Sequence, residues 1–151
     1  MGSYQTIVVG TDGSDSSLRA VDRAGSLAGE TGAALVVACA YFPDQDDRSL
    51  EQAKDVLGSE SYQVVGSAPA QDRARRAADR ARAAGARDVV TAVVTGDPVE
   101  VLLDVVDKRQ ADLLVVGNRG LNTIKGRLLG SVPSDATRRA GCDVLVVHTT
   151  D

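Results

Sequence analysis

The sequence predicts an α/β fold built on an open, doubly wound sheet of five parallel strands. Five short runs are rich in valine and almost continuously apolar, which is typical of strands buried on both faces of a parallel sheet; they cover residues 7–9, 35–40, 89–94, 113–116 and 144–147. Segments long enough for a helix separate the runs, as parallel connections require. With right-handed crossovers this alternation places helices on both faces of a Rossmann-like sheet.

The first helix is predicted to begin after Ser14 or Asp15, because apolar residues then recur at helical spacing. Gly32 is its predicted end. The residues that form the repeating apolar face are Leu18, Val21, Ala24 and Ala28.

The stretch from residue 42 to residue 69, after the second strand, is longer than an ordinary connection and is acidic. Two interpretations stay open: a solvated excursion, or a flap that covers a ligand site. A helix is predicted from Ala70 to Ala84, with a stripe of alanines on one side and an ion pair between Asp72 and Arg76 on the other.

The helix after the third strand carries the plainest start signal. Asp97 is the predicted cap, Pro98 occupies the first helical position and Glu100 is expected to reach back to the cap. The last helix is expected to end by Gly141 after two arginines, which suit the negative end of the helix dipole. The expected core-facing residues of the Asp97 helix are Val99, Leu102, Leu103 and Val106.

The stretch from Leu113 to Ser134 is the candidate ligand site. Glycines after a strand let the backbone approach a ligand and adopt positive φ, and a glycine that opens a helix leaves free amides where the dipole favours an anion. This stretch contains no acidic residue, although the chain has a net charge of −4. The pattern indicates phosphate binding; the alternative is a loop that needs room. Its basic residues, which could also be solvated loop charges, are Arg119, Lys125 and Arg127.

Length and composition limit the classes of protein and partner to be considered. A chain of 151 residues with 43% hydrophobic residues is one domain with a sizeable core. A pI near 5.0 argues against nucleic acid or anionic membranes as partners. Two cysteines, both in apolar surroundings, indicate free thiols in a reducing compartment, and no signal peptide or membrane span is visible. The expected location is therefore the cytoplasm.

The spacing Gly117-x2-Gly120-x9-Gly130-Ser131 resembles the nucleotide motif of the universal stress protein family. The resemblance extends over nearly the whole chain, so residues 1–151 form one such domain with residues 42–69 as an insertion. The stretches Val115-Val116-Gly117-Asn118 and Gly126-Arg127-Leu128-Leu129-Gly130-Ser131-Val132-Pro133 and the ending Val147-His148-Thr149-Thr150 resemble the branch of the family that binds cyclic AMP. Pro133 stands where the ATP-binding members more usually carry a small residue.

The resemblance implies strand order 3-2-1-4-5, a protein that senses or sequesters an adenine nucleotide, and a homodimer paired through the strand from Val144 to Val147. The ligand would be cyclic AMP, or ATP with Mg²⁺. No protein metal site is expected. Asp12 could accept a hydrogen bond from a ribose hydroxyl or the base amine, or could simply be an acid at a helix start. The implied ligand contacts are Gly10, Thr11, Asp12, Ala40, Val116, Gly117, Arg119, Gly120, Arg127, Gly130, Ser131 and Val132.

No catalytic set is apparent, since His148 is the only histidine and has no matching nucleophile nearby in the sequence. A binding protein is therefore the first expectation. The alternative is an ATP-hydrolysing enzyme, because Thr11-Asp12-Gly13-Ser14-Asp15-Ser16 resembles the phosphate turn of ATP pyrophosphatases. In that turn Asp12 replaces a glycine, and its carboxylate would repel pyrophosphate.

Overall fold

The computed structural model describes residues 3–42, 67–118 and 131–149. The strands in this part of the chain are β1 (Thr6–Gly10), β2 (Ala34–Tyr41), β3 (Val89–Thr95), β4 (Leu113–Gly117) and β5 (Asp143–Val147). The helices are α1 (Asp15–Thr31), α2 (Ser67–Ala84), α3 (Pro98–Arg109) and α4 (Ser131–Arg139). Each predicted strand is present and extends by one residue at one or both ends.

The five strands pair in parallel in the order β3-β2-β1-β4-β5, which confirms the predicted fold class and strand order. β1 is central: Val9 pairs with Val37 of β2 on one side and with Val115 of β4 on the other. The chain therefore leaves β1 in opposite directions across the sheet. The carboxyl ends of β1 and β4 lie side by side at this reversal, where open α/β sheets bind their ligands.

Helices α1 and α2 pack on one face of the sheet, against a core that includes Ile7, Val9 and Leu35. The two helices approach closely through glycines. A Cβ built on Gly25 would lie 2.6 Å from the carbonyl oxygen of Ala81, and one built on Gly29 would lie 2.5 Å from that of Gly85. Only glycine leaves room for this contact of backbone with backbone.

Helices α3 and α4 cover the other face, where Val8, Val36 and Leu114 are buried. The predicted core face of α3 is partly wrong. Leu103 is only partly buried, whereas Val101 and Val105 are buried together with the expected residues. Nearly every position of α3 from 101 to 106 is apolar, so helical spacing alone does not select one face.

The predicted helix caps are largely confirmed. The Ser14 hydroxyl accepts the amide hydrogen of Ser17, and Gly32 ends α1 in the left-handed conformation at φ 76°. The Asp97 carboxylate accepts amide hydrogens at the start of α3. Glu100 does not reach back as expected: its carboxylate pairs instead with the guanidinium of Arg139 in α4, at 2.8 Å.

Helix α2 begins at Ser67, three residues before the predicted start at Ala70. The proline at position 69 did not delay the helix, since proline is tolerated in a first turn where its missing N–H has no partner to lose. Most of the predicted insertion, residues 43–66, lies outside the described residues. The Asp72–Arg76 ion pair is present at 3.3 Å.

Among the described residues, no helix is long and apolar enough to cross a membrane. Cys39 and Cys142 are both free, as predicted, with Cys39 buried and Cys142 partly exposed.

Candidate functional site

The loop between β1 and α1 is held by its own side chains. Thr11 Oγ1 accepts the amide hydrogen of Gly13 at 3.0 Å. The Ser17 hydroxyl donates to the carbonyl oxygen of Ser14, so the Thr11 hydroxyl donates in turn to Ser17 Oγ at 2.8 Å. Thr11 is fully buried, and its backbone N–H donates to the carbonyl oxygen of Ala38 at 3.0 Å, so Thr11 holds the loop in place.

Three amides of this loop are occupied by side chains of the loop itself. Ser14 N–H donates to Asp12 Oδ1 at 2.9 Å, Gly13 N–H donates to Thr11, and Ser17 N–H donates to the Ser14 hydroxyl at 3.2 Å. A phosphate turn of the ATP pyrophosphatase type would need such amides free for the ligand. The geometry therefore does not favour the enzyme alternative.

Asp12 remains available as an acceptor on one side. The residue is 9% exposed, and no hydrogen bond from a described residue reaches Oδ2. Its backbone carbonyl is fixed by Arg73, whose guanidinium Nη1 donates to it at 2.8 Å. The carboxylate is therefore fixed in position with one oxygen left for a ligand. Sequence reasoning missed Arg73, since no local pattern links two residues that are 61 positions apart.

Gly10 and Gly117 each lie close to a side chain of another part of the chain. A Cβ on Gly10 would lie 2.9 Å from both Cδ atoms of Leu102 in α3. A Cβ on Gly117 would lie 3.1 Å from Thr149 Cγ2, and Gly117 continues β4 opposite Val147 without a left-handed φ. The expectation of positive φ at Gly117 is wrong, because the residue is still inside the strand.

A second group that sequence reasoning missed surrounds Thr149, which is only 3% exposed. Its backbone N–H and its hydroxyl both lie within hydrogen-bond distance of Asn118 Oδ1, at 2.8 and 2.9 Å. Its hydroxyl also lies 2.6 Å from Ser16 Oγ, and its carbonyl oxygen accepts from Arg19 at 2.6 Å. Residue 149 thus connects the ends of β4 and β5 with the start of α1.

At the end of β2, Ala40 is partly buried and packs against the core on the α3 side. Contact of Ala40 with adenine stays a prediction. The neighbouring Cys39 is fully buried, and burial raises the pKa of its thiol to about 11. This thiol is protonated at neutral pH and is not a nucleophile.

Val116 and Val132 meet in the core on the α3 and α4 face, where they are 3% and 2% exposed. Ligand contact by these two residues stays a prediction. Helix α4 begins at Ser131, which agrees with a motif that ends at a helix start. The other residues of the motif, Arg119, Gly120, Arg127 and Gly130, lie outside the described residues.

The described residues contain no group of three or more His, Cys, Asp or Glu side chains that could hold a metal ion. His148 is exposed at the end of β5. The described residues offer a carboxylate oxygen with no hydrogen bond from a described residue, on a loop held by its own hydrogen bonds. This combination suits the binding of a polar ligand.

Comparison with known proteins places this geometry in a family. The chain matches the universal stress protein family over residues 3–148. It is 53% identical over 150 residues to the universal stress protein Rv1636 of Mycobacterium tuberculosis strain H37Rv, a match that covers 99% of this chain and 100% of that one.

Solved structures agree with the family match. A universal stress protein crystallised in complex with cAMP is 50% identical, with a TM-score of 0.76, and the match covers 99% of this chain and 100% of that one. The universal stress protein UspA from Lactobacillus plantarum has a TM-score of 0.75 at 24% identity, covering 97% of this chain and 99% of that one, and shares the fold.

Proposed function

The chain belongs to the universal stress protein family, and from that premise we propose that it binds an adenine nucleotide at the edge of the sheet between β1 and β4. It acts in the cytoplasm by sensing or sequestering this ligand rather than by converting it. Cyclic AMP is the first ligand and ATP the second.

The observation that carries this proposal is the parallel pairing of β1 with β4. The register of Val9 with Val115 brings the Asp12 loop next to the strand that leads into the glycine motif. Asp12 Oδ2, which accepts no hydrogen bond from a described residue, is the proposed acceptor for a ribose hydroxyl or the adenine amine. The motif supplies the phosphate half of the site through Gly117, Gly120, Gly130 and Ser131.

The choice of cyclic AMP rests on charge. A cyclic monophosphate carries one negative charge and needs only amides, a hydroxyl and one arginine, for which Arg119 and Arg127 are the candidates. A triphosphate normally needs a hard cation with oxygen ligands, and the stretch from Leu113 to Ser134 has no carboxylate. The 50% identical relative that was crystallised with cAMP points in the same direction.

Calorimetric titration tests the choice directly. We expect cyclic AMP to bind more tightly than ATP, both with and without Mg²⁺. ATP–Mg²⁺ binding tenfold more tightly, about 1.4 kcal/mol, would reverse the order and leave the site itself intact. Chromatography of the nucleotide after overnight incubation should recover it unchanged, and multiple turnover would instead establish an enzyme.

We also propose a homodimer that pairs two copies of β5 about a two-fold axis. β5 is an edge strand, and Val144, Leu145 and Val146 are only partly buried within the described part of the chain. An exposed apolar edge of this kind favours pairing with another strand.

Light scattering at micromolar concentration should give the mass of a dimer. We expect the double substitution Val144→Lys with Val146→Lys to give a folded monomer, because charges along the edge oppose pairing. The matched control is Val90→Lys on β3, the opposite edge, where the valine is 41% exposed; this variant should stay dimeric. A monomeric wild-type chain would remove the proposal.

A further inference from the structure

Thr149 joins three segments that are far apart in sequence. It follows β5, it packs across Gly117 at the end of β4, and it contacts Ser16 in the first turn of α1. The first turn of α1 continues the loop that carries Asp12, and Asn118 immediately precedes the rest of the glycine motif. The two halves of the candidate site are therefore bridged by a residue that belongs to neither.

Every hydrogen bond around Thr149 can be given a direction. A backbone N–H only donates, so the atom of Asn118 that faces it is the amide oxygen. That oxygen also takes the single hydroxyl proton of Thr149. The Thr149 oxygen is then left to accept, and Ser16 donates to it at 2.6 Å. The result is a chain of donors from Ser16 through Thr149 to Asn118.

We propose that Thr149 is a positioning residue that fixes the separation of the two halves of the nucleotide site. This inference rests on the proposed function. It does not require contact between Thr149 and the ligand, since Thr149 is only 3% exposed.

The physical reason is preorganisation. If the ends of β4 and α1 move independently, only a fraction of molecules holds both halves in the binding arrangement, and the apparent affinity falls by that fraction. The hydroxyl of Thr149 makes two hydrogen bonds to the two sides and so favours one arrangement. Removing this hydroxyl should therefore weaken nucleotide binding, and the loss should exceed that caused by a substitution that lowers only the stability of the fold.

The test compares cyclic AMP and ATP–Mg²⁺ affinities, by calorimetry, for matched variants at a temperature well below unfolding. Thr149→Val keeps the shape and the backbone N–H but removes both hydroxyl bonds. We expect its affinity to fall roughly tenfold. Thr149→Ser keeps the hydroxyl and should bind within about twofold of wild type.

Thr31→Val is the control for a purely structural role. The Thr31 hydroxyl donates to the carbonyl oxygen of Leu27 at 2.8 Å at the far end of α1. This variant should lose stability while its affinity stays unchanged. Ser16→Ala provides a second route if Thr149→Val does not fold, because it removes only the Ser16 bond; we expect about threefold weaker binding.

The outcomes distinguish a failure of the proposed function from a failure of the positioning role of Thr149. If wild type binds neither nucleotide, the proposed function fails. If wild type binds and a folded Thr149→Val, or Ser16→Ala in its place, binds equally well, the positioning role is overturned and the proposed function stands. Equal loss of affinity in Thr31→Val would also overturn it, since the effect would then be one of stability.

Discussion

Replacing Gly25 or Gly29 with alanine should destabilise the protein by about 2 kcal/mol each. The usual expectation is the opposite, because alanine is favoured over glycine inside a helix by up to about 1 kcal/mol. Here the new methyl groups would lie 2.6 and 2.5 Å from the carbonyl oxygens of Ala81 and Gly85. Those atoms are backbone, so relief requires α2 and the residue that follows it to move away from α1.

Urea unfolding of the single variants measures the effect. Gly141→Ala is the matched control, since a Cβ there meets no atom within 4 Å and the residue does not adopt a left-handed φ. We expect Gly141→Ala to stay within about 0.5 kcal/mol of wild type. Stabilisation by Gly25→Ala would contradict the close approach of the two helices.

The sequence was enough to predict the α/β fold class, because the buried strands are recognisable as apolar runs. Residues 35–40 and 113–116 are apolar at every position, which only a two-sided burial explains. The contact of α1 with α2 was not predictable in the same way. Gly25 and Gly29 lie within a helical pattern that already accounts for Ala24 and Ala28, and nothing local shows that their partners are backbone atoms of a helix more than fifty residues away.

In the candidate site, too, local features were predictable from the sequence and contacts between distant segments were not. The motif spacing and the position of Asp12 at the end of a strand were visible in the sequence, since both are local. The side chains that lie close to Gly10 and Gly117 were not, because Leu102 and Thr149 approach from other parts of the chain. Arg73 was equally hidden: its role depends on α2 crossing the β1–α1 loop.

Asp12→Asn should weaken nucleotide binding by about 10- to 100-fold, the loss of a hydrogen bond to a charged acceptor worth about 1.5–3 kcal/mol. The substitution preserves the loop, because the amide oxygen can still accept the Ser14 N–H that Asp12 Oδ1 accepts now. What changes is the outward atom, which becomes a donor in place of an acceptor. Calorimetry with cyclic AMP gives the affinity, and circular dichroism checks the fold.

Asp15→Asn is the matched control. It makes the same change of charge at an exposed residue three positions along, at the start of α1, and should bind as wild type does. Equal weakening in both variants would mean that the carboxylates act only through their general field, and Asp12 would then have no specific contact with the ligand.

The Asp12→Asn variant also shows which group of the ligand Asp12 binds. The 6-amino group of adenine only donates, whereas the 6-oxo group of hypoxanthine only accepts. If Asp12 reads the base, wild type should bind cyclic IMP poorly and Asp12→Asn should bind cyclic IMP more tightly than cyclic AMP. If it holds a ribose hydroxyl instead, the hydroxyl can turn to accept from asparagine, so both nucleotides should lose affinity alike and the loss should lie near the tenfold end. Unchanged binding of cyclic AMP by a folded Asp12→Asn would place the ligand away from the β1–α1 loop.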